Sequence, residues 1–232
     1  KNDYLELIGT PKGKLNMRPE LKESEIGING LVFKSDNIIK TYEHLINMKL
    51  SNFPPRYFSR PVEINGIERH AKFETVSIKD NIFKAGRVYF CNHLTPDLVW
   101  IPEYKVHKNN ASEIAEITVI DSNPSSILKK INKITGSVKI DKEENFITVK
   151  TDDVKLILCN EKYFKERYNY FGKQIKLRKE MFGSLTLRTS SMFFLRKINQ
   201  INFPNILKFE DKNKIQILLR EYNFILEFKK IK

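Results

Sequence analysis

The sequence predicts an α+β chain of tandem βαβββ units, whose strands form two curved, half-barrel mixed sheets with helices outside. Three observations predict it. Residues 27–95 spell strand, helix, strand, strand, strand, and the same order recurs twice from residue 114 onward. The later copies also align, Lys129-Lys-Ile-Asn-Lys-Ile on Arg196-Lys-Ile-Asn-Gln-Ile and Val154-Lys-Leu-Ile-Leu-Cys on Asn223-Phe-Ile-Leu-Glu-Phe. A repeat of roughly 70 residues is too long for a solenoid unit and fits tandem supersecondary modules.

In chain order, Tyr4 to Ile8 reads as a strand closed by Gly9-Thr-Pro-Lys-Gly, and residues 10–26 as a polar loop with a helical turn at 19–24. Ile28 to Lys34 is the next strand. Ser35-Asp36 is the expected cap of a helix over 37–49, with Ile38, Ile39, Tyr42, Leu45 and Ile46 on one stripe. Asn52-Phe-Pro-Pro breaks that helix. Strands at 57–64 and 67–78 flank Asn65-Gly66, the strongest hairpin turn in the sequence. A strand at 86–92 completes the unit. The second unit has a strand at 114–120, a helix from Ser122-Asn-Pro to about Ile134, and strands at 137–141, 146–151 and 154–159. A linking helix over 161–170 leads to the third, with a strand at 184–189, a helix at 190–201 and strands at 206–210, 214–220 and 223–229. This organisation divides the chain into an incomplete first half, residues 1–105, and a second half of two units, residues 106–232. The orphan strand at 4–8 then closes a unit whose other elements lie outside this sequence.

With 232 residues, 41% of them hydrophobic and 30% charged, the chain is expected to bury a substantial core. No stretch approaches the roughly 20 consecutive apolar residues of a membrane span. No charged-then-apolar leader opens it, so the expected location is cytoplasmic. Cys91 and Cys159 each end an apolar run and read as buried free thiols. The net charge of +13 raises non-specific nucleic-acid binding as a third reading. Against it, the basic residues are scattered among acids, and no helix-turn-helix, RNP aromatics or zinc knuckle accompanies them. No nucleophilic triad, phosphate-binding glycine loop or CxxC motif is present either.

One stretch carries a family resemblance. His93-Leu-Thr-Pro-Asp-Leu-Val-Trp100 holds a His, a Thr-Pro turn and the only Trp within a few residues, and His107-Lys-Asn-Asn-Ala follows it. Together with Asn2-Asp-Tyr-Leu-Glu-Leu-Ile-Gly, Ser59-Arg60-Pro61 and Arg69 to Phe73, it resembles the glyoxalase-like proteins of the vicinal oxygen chelate superfamily. The likeness is densest over residues 2–125. It implies paired units, each pair forming a bowl for a divalent metal (Zn, Fe, Mn, Ni or Mg). The ligands come from the first strand of each unit and from a carboxylate near the end of each fourth strand. Carried onto this sequence, it points to Glu6 and His93 as metal ligands and to Asn29 at the first-strand position.

Arg60 and Arg69 are candidates for clamping an anionic substrate group, and Trp100 for stacking on it. Each has a plainer structural reading beside it. Glu6 can simply face water, His93 can be a hydrogen-bonded strand end, the arginines can pair with Glu63, Glu68 or Glu74, and Trp100 can pack the junction between halves. In the second half one acid, Glu227, and no His stand at ligand positions, so that half reads as structural, with an apolar pocket or an interface as the alternative and Glu113 and Glu116 solvated. The function expected is a small-molecule cleft in the first half, belonging to a metal-assisted lyase, isomerase or dioxygenase. The alternative is a metal-free binding module on the same fold. The partners expected are a small molecule and, through an open sheet edge, a second copy of the chain.

Overall fold

The computed structural model describes residues 3–9, 24–51, 53–136, 138–151, 154–198 and 206–231. The first unit comprises β1 (Gly30–Lys34), α1 (Ile38–Asn47), β2 (Arg56–Ile64), β3 (Ile67–Ser77) and β4 (Arg87–His93). Its four strands form one sheet in the order β1-β4-β3-β2, with β1 parallel to β4 and the rest antiparallel. The second unit is β5 (Ala111–Asp121), α2 (Pro124–Thr135), β6 (Lys139–Lys142), β7 (Phe146–Lys150) and β8 (Lys155–Cys159). After α3 (Glu161–Gln174) comes the third: β9 (Glu180–Thr189), α4 (Phe193–Arg196), β10 (Ile206–Glu210), β11 (Lys214–Leu219) and β12 (Phe224–Lys230). These eight strands make a second open sheet, β10-β11-β12-β9-β5-β8-β7-β6. Every unit therefore repeats one strand order, and the second and third join through antiparallel pairing of their first strands, β5 and β9.

Local chemistry explains most of the boundaries. Asn65 and Gly66 both take positive φ, 53° and 75°, as a two-residue hairpin between right-twisted strands requires. The cap of α1 is Asn37 and not Ser35 or Asp36: its side-chain oxygen accepts the Lys40 N–H at 3.0 Å. Asn123 caps α2 in the same way ahead of Pro124.

Other expected elements differ. Residues 3–9 form no strand, because a strand needs a ladder partner and this segment makes none among the described residues; Leu7 is 87% exposed. The loop expected at 10–26 lies mostly outside the described residues, as do positions 199–201 of the helix expected at 190–201. What is described of that helix is one turn, since Thr189 Oγ1 donates to the Ser191 carbonyl and accepts the Ser191 N–H, holding residues 190–192 in a non-helical turn.

α1 and α2 each cover one face of their sheet, and one core runs through both. Leu31, Leu45, Val76, Phe83 and Val88 of the first unit share it with Val119, Ile127, Leu158 and Phe182 of the second and third. Both cysteines are free and buried, as expected. No described helix is long and apolar enough to cross a membrane.

Candidate functional site

In β4 the alternation of the strand sends Val88 and Phe90 toward α1, and Tyr89, Cys91 and His93 to the opposite, open face. Register places Phe73 of β3 beside His93, and Phe58 of β2 beside Phe73. The Thr-Pro turn after His93 is tied back to β3, with the Lys72 N–H donating to Thr95 Oγ1 at 2.8 Å and the Leu94 N–H to the Lys72 carbonyl. That return folds Trp100 onto the His93 ring, 5.3 Å between centroids and 28° between planes. Tyr4 completes an aromatic corner, 5.6 Å from Trp100 and 6.3 Å from His93, while Phe73 meets His93 edge-on.

The residues singled out in the first half divide accordingly. His93 and Trp100 share the corner. Glu6 is exposed, near enough to Tyr4 and Cys91 to help raise both. Burial and Glu6 push the Cys91 thiol up to about 11, and burial pushes the Tyr4 hydroxyl up to about 12. His93 is held below its ordinary value by burial and by Lys34, so it is a neutral imidazole at physiological pH. Arg60 lies over the Phe58 ring at 5.2 Å, and Arg69 is exposed farther along the same face, four residues from Phe73. Asn29 stands apart. Its carbonyl accepts the Arg87 N–H at 2.9 Å and its side-chain amide donates to the Glu25 carbonyl. That approach requires Gly86, where a Cβ would fall 2.5 Å from the Asn29 oxygen.

Among the described residues no three His, Cys, Asp or Glu side chains converge as metal donors. Glu6 and His93 therefore have no third donor beside them among the described residues.

The second site lies on the face of the eight-stranded sheet that α3 covers, in the half expected to be structural. Register aligns Lys155 (β8), Glu116 (β5), Thr186 (β9) and Glu227 (β12) in one row across four strands. α3, broken at Asn169 (φ 47°), crosses this face; before the break it buries Phe164 and Tyr168, four residues apart, and after it Phe171, against Ile120, Met181 and Ile225. The crossing delivers Arg167 above the row. Its Nη2 donates to Glu116 Oε2 at 2.5 Å and lies 3.7 Å from Glu227 Oε1. Lys229 Nζ reaches the same two carboxylates at 3.2 and 3.3 Å.

Glu227, with its side chain 2% exposed, also accepts from Gln216 Nε2 at 2.6 Å and Thr186 Oγ1 at 3.2 Å. Glu116 is therefore not solvated, a correction to the sequence reading. Burial works against its charge, but Arg167 and Lys229 outweigh it and hold the carboxyl below its ordinary range. For Arg167, burial is likewise outweighed by Tyr168, Glu116 and Glu227, which raise its pKa. Burial pushes Tyr168 up to about 12, and its hydroxyl joins a buried chain with Ser184 Oγ and Thr118 Oγ1, 2.7 Å at each step.

Beside this network opens a cavity of about 360 Å³, lined by Phe146, Thr148, Lys155, Ile157, Tyr163 and the charged groups. Phe146 and Tyr163 stack at 4.3 Å along one wall. A signal for this site was in the sequence. Glu227 interrupts the apolar run Phe224-Ile-Leu-Glu-Phe, and Glu116 lies between Ile114-Ala and Ile117, as Glu6 lies between Tyr4-Leu and Leu7-Ile. Arg167, on a helix rich in charge, had none.

No family model matches the sequence, and no curated protein does. Among solved structures, a hypothetical protein from Staphylococcus aureus superposes with a TM-score of 0.58 at 12% identity, over 88% of this chain and 66% of its own. The architecture is tandem βαβββ. This agrees with what the resemblance to vicinal oxygen chelate proteins implies for the fold, and the chain spans about two thirds of the S. aureus protein's length. Similarity also extends to 2,2',3-trihydroxybiphenyl 1,2-dioxygenase from Sphingomonas wittichii, with a TM-score of 0.47 at 10% identity, over 88% of this chain and 71% of that one. Methylmalonyl-CoA epimerase from Mycobacterium tuberculosis gives 0.39 at 8% identity, over 55% and 93%.

Proposed function

We propose that this chain is a vicinal-oxygen-chelate-type protein that binds a small organic molecule in the cavity of its eight-stranded sheet. The observation that carries the reading is the cavity itself. It combines a concave shape of ligand size, a stacked aromatic wall and buried charged groups with displaced pKa values, the usual marks of a small-molecule site. The cations above the carboxylates are the protein's own, so the reading follows the metal-free alternative. A fragment screen by thermal shift tests it, run on the native chain and on Thr148→Trp, which fills the cavity from β7. Fragments that stabilise the native chain are expected to lose their effect on the variant. Equal stabilisation of both would place the binding elsewhere.

A second reading rests on the aromatic corner, where a neutral His93 faces Tyr4 and Trp100. It keeps a cleft in the first half as the site of a lyase, isomerase or dioxygenase, with Glu6 and His93 as metal ligands, Arg60 and Arg69 on an anionic group and Trp100 lining it; Asn29, beside Arg87 at the other end of β4, falls outside it. Elemental analysis of Glu6→Ala and His93→Ala decides it: metal content unchanged in both variants removes the assignment.

A further inference from the structure

We infer that the cavity of the eight-stranded sheet takes a small organic carboxylate, held by lysine and arginine where the resembled proteins hold a metal. The inference rests on the cavity reading above and adds the ligand's charge and the groups that meet it.

The row Lys155, Glu116, Thr186, Glu227 runs across the first and fourth strands of two units, the strands from which the resemblance draws metal ligands. The side chains there do not suit a cation. One position is a lysine, and another is a threonine whose hydroxyl already donates to Glu227. Both carboxylates are engaged by Arg167 and Lys229, within 2.5 to 3.7 Å. An incoming divalent ion would meet two resident cations at ion-pairing distance, and repulsion in a partly desolvated site is costly.

The charge count points instead to an anion. Lys155, Arg167, Lys214 and Lys229 line the cavity with Glu116, Asp141 and Glu227. Asp141 is paired outward with Lys150 at 2.5 Å, and Lys214 lies 3.9 Å from Asp211. Counting those outer partners, five cations face four acids, and one positive charge is left over. Lys155 is the natural bearer of it, since its side chain has no ion pair or hydrogen bond among the described residues. A monoanion closes the balance.

Shape narrows the class. Phe146, Tyr163 and Ile157 give an apolar wall and floor for a compact body, so the anionic group sits at one end, toward Lys155 and Arg167. A guanidinium presents a planar fork of N–H donors that matches the two oxygens of a carboxylate.

Titration calorimetry of the native chain compares benzoate and hexanoate with benzamide and hexanamide, with and without EDTA. The carboxylates are expected to bind about tenfold tighter than their amides, the worth of one charge-assisted hydrogen bond. Lys155→Met, an exposed position, removes that difference, and EDTA changes nothing. Equal affinity for acid and amide, no carboxylate binding, or binding abolished by EDTA would each overturn the inference. Thr148→Trp separates it from the reading beneath it. If carboxylates still bind that variant, the cavity reading itself fails. If the variant loses binding while acid and amide are equal in the native chain, only the charge inference fails.

Discussion

Arg167 is the residue on which the second site turns, because it touches both carboxylates and the Tyr168 ring, 5.3 Å from its guanidinium. Removing one member of a buried ion pair leaves the others charged and unsolvated. Arg167→Met is therefore expected to lower stability by about 3 kcal/mol or more, read from the urea midpoint. Lys229 remains in place but is too exposed to hold both acids alone. Adding Glu227→Gln to that variant should restore part of the loss, and strict additivity of the two changes would show that Arg167 and Glu227 are not coupled.

Acid provides a second handle on the same network. Glu116 titrates below its ordinary value when folded, so its contribution is fully present above that ordinary value. It is lost as pH falls through the lowered one. Urea midpoints measured from neutral pH down to the acid limb should fall less steeply for Glu116→Gln than for the native chain; parallel curves would refute the assignment.

At the scale of elements, α3 is seated on its sheet through a hole that only glycine leaves. A Cβ on Gly183 would lie 2.5 Å from Ile120 Cδ1 and 2.7 Å from the Phe164 ring. Gly183→Ala should therefore cost about 1–3 kcal/mol through overpacking, and Ile120→Val in the same chain should recover part of it. An alanine variant as stable as the native chain would mean that α3 is free to shift.

This glycine also shows why β9 was only half legible from sequence. Residues 180–183, Glu-Met-Phe-Gly, open with a charge and close on a strand breaker, yet all are buried. The charge is satisfied by Lys130 at 2.6 Å and the glycine is demanded by Phe164; both reasons lie in other elements. The strand order was legible, because the repeats and Asn65-Gly66 encode it locally. The corner at His93 was legible for the same reason, since its turn and its Trp are ten residues apart or fewer. The expected strand at 4–8 was apolar enough but has no neighbour to pair with among the described residues. Glu116 meets Arg167 across 51 residues of sequence, a convergence no local pattern announces.

For the whole molecule, the question is whether the two sheets behave as one cooperative body. Their contact is specific. Phe83, from the loop before β4, stacks on Phe182 of β9 at 5.9 Å, and Lys130 lies 5.8 Å over the Phe83 ring. Glu180, 3% exposed at its side chain, accepts the Ala85 N–H at 3.1 Å as well as pairing with Lys130. His44 of α1 donates to the Lys133 carbonyl of α2 at 2.9 Å.

A shared core of this kind couples the unfolding of both sheets. Trp100, the single tryptophan, reports on the first sheet, whereas far-UV circular dichroism is weighted toward the larger second one. In the native chain the two probes are expected to give coincident urea transitions. Phe83→Ala removes a fully buried ring at the contact, a loss of about 3–5 kcal/mol. That loss falls on the smaller sheet, which has less core of its own, so the fluorescence transition should move to lower urea than the dichroism transition. Separate transitions in the native chain would mean that the Phe83–Glu180 contact joins two independent bodies. Coincident transitions in Phe83→Ala would mean that the remaining shared core, Leu31 to Val88 against Val119 to Leu158, is enough to hold them as one.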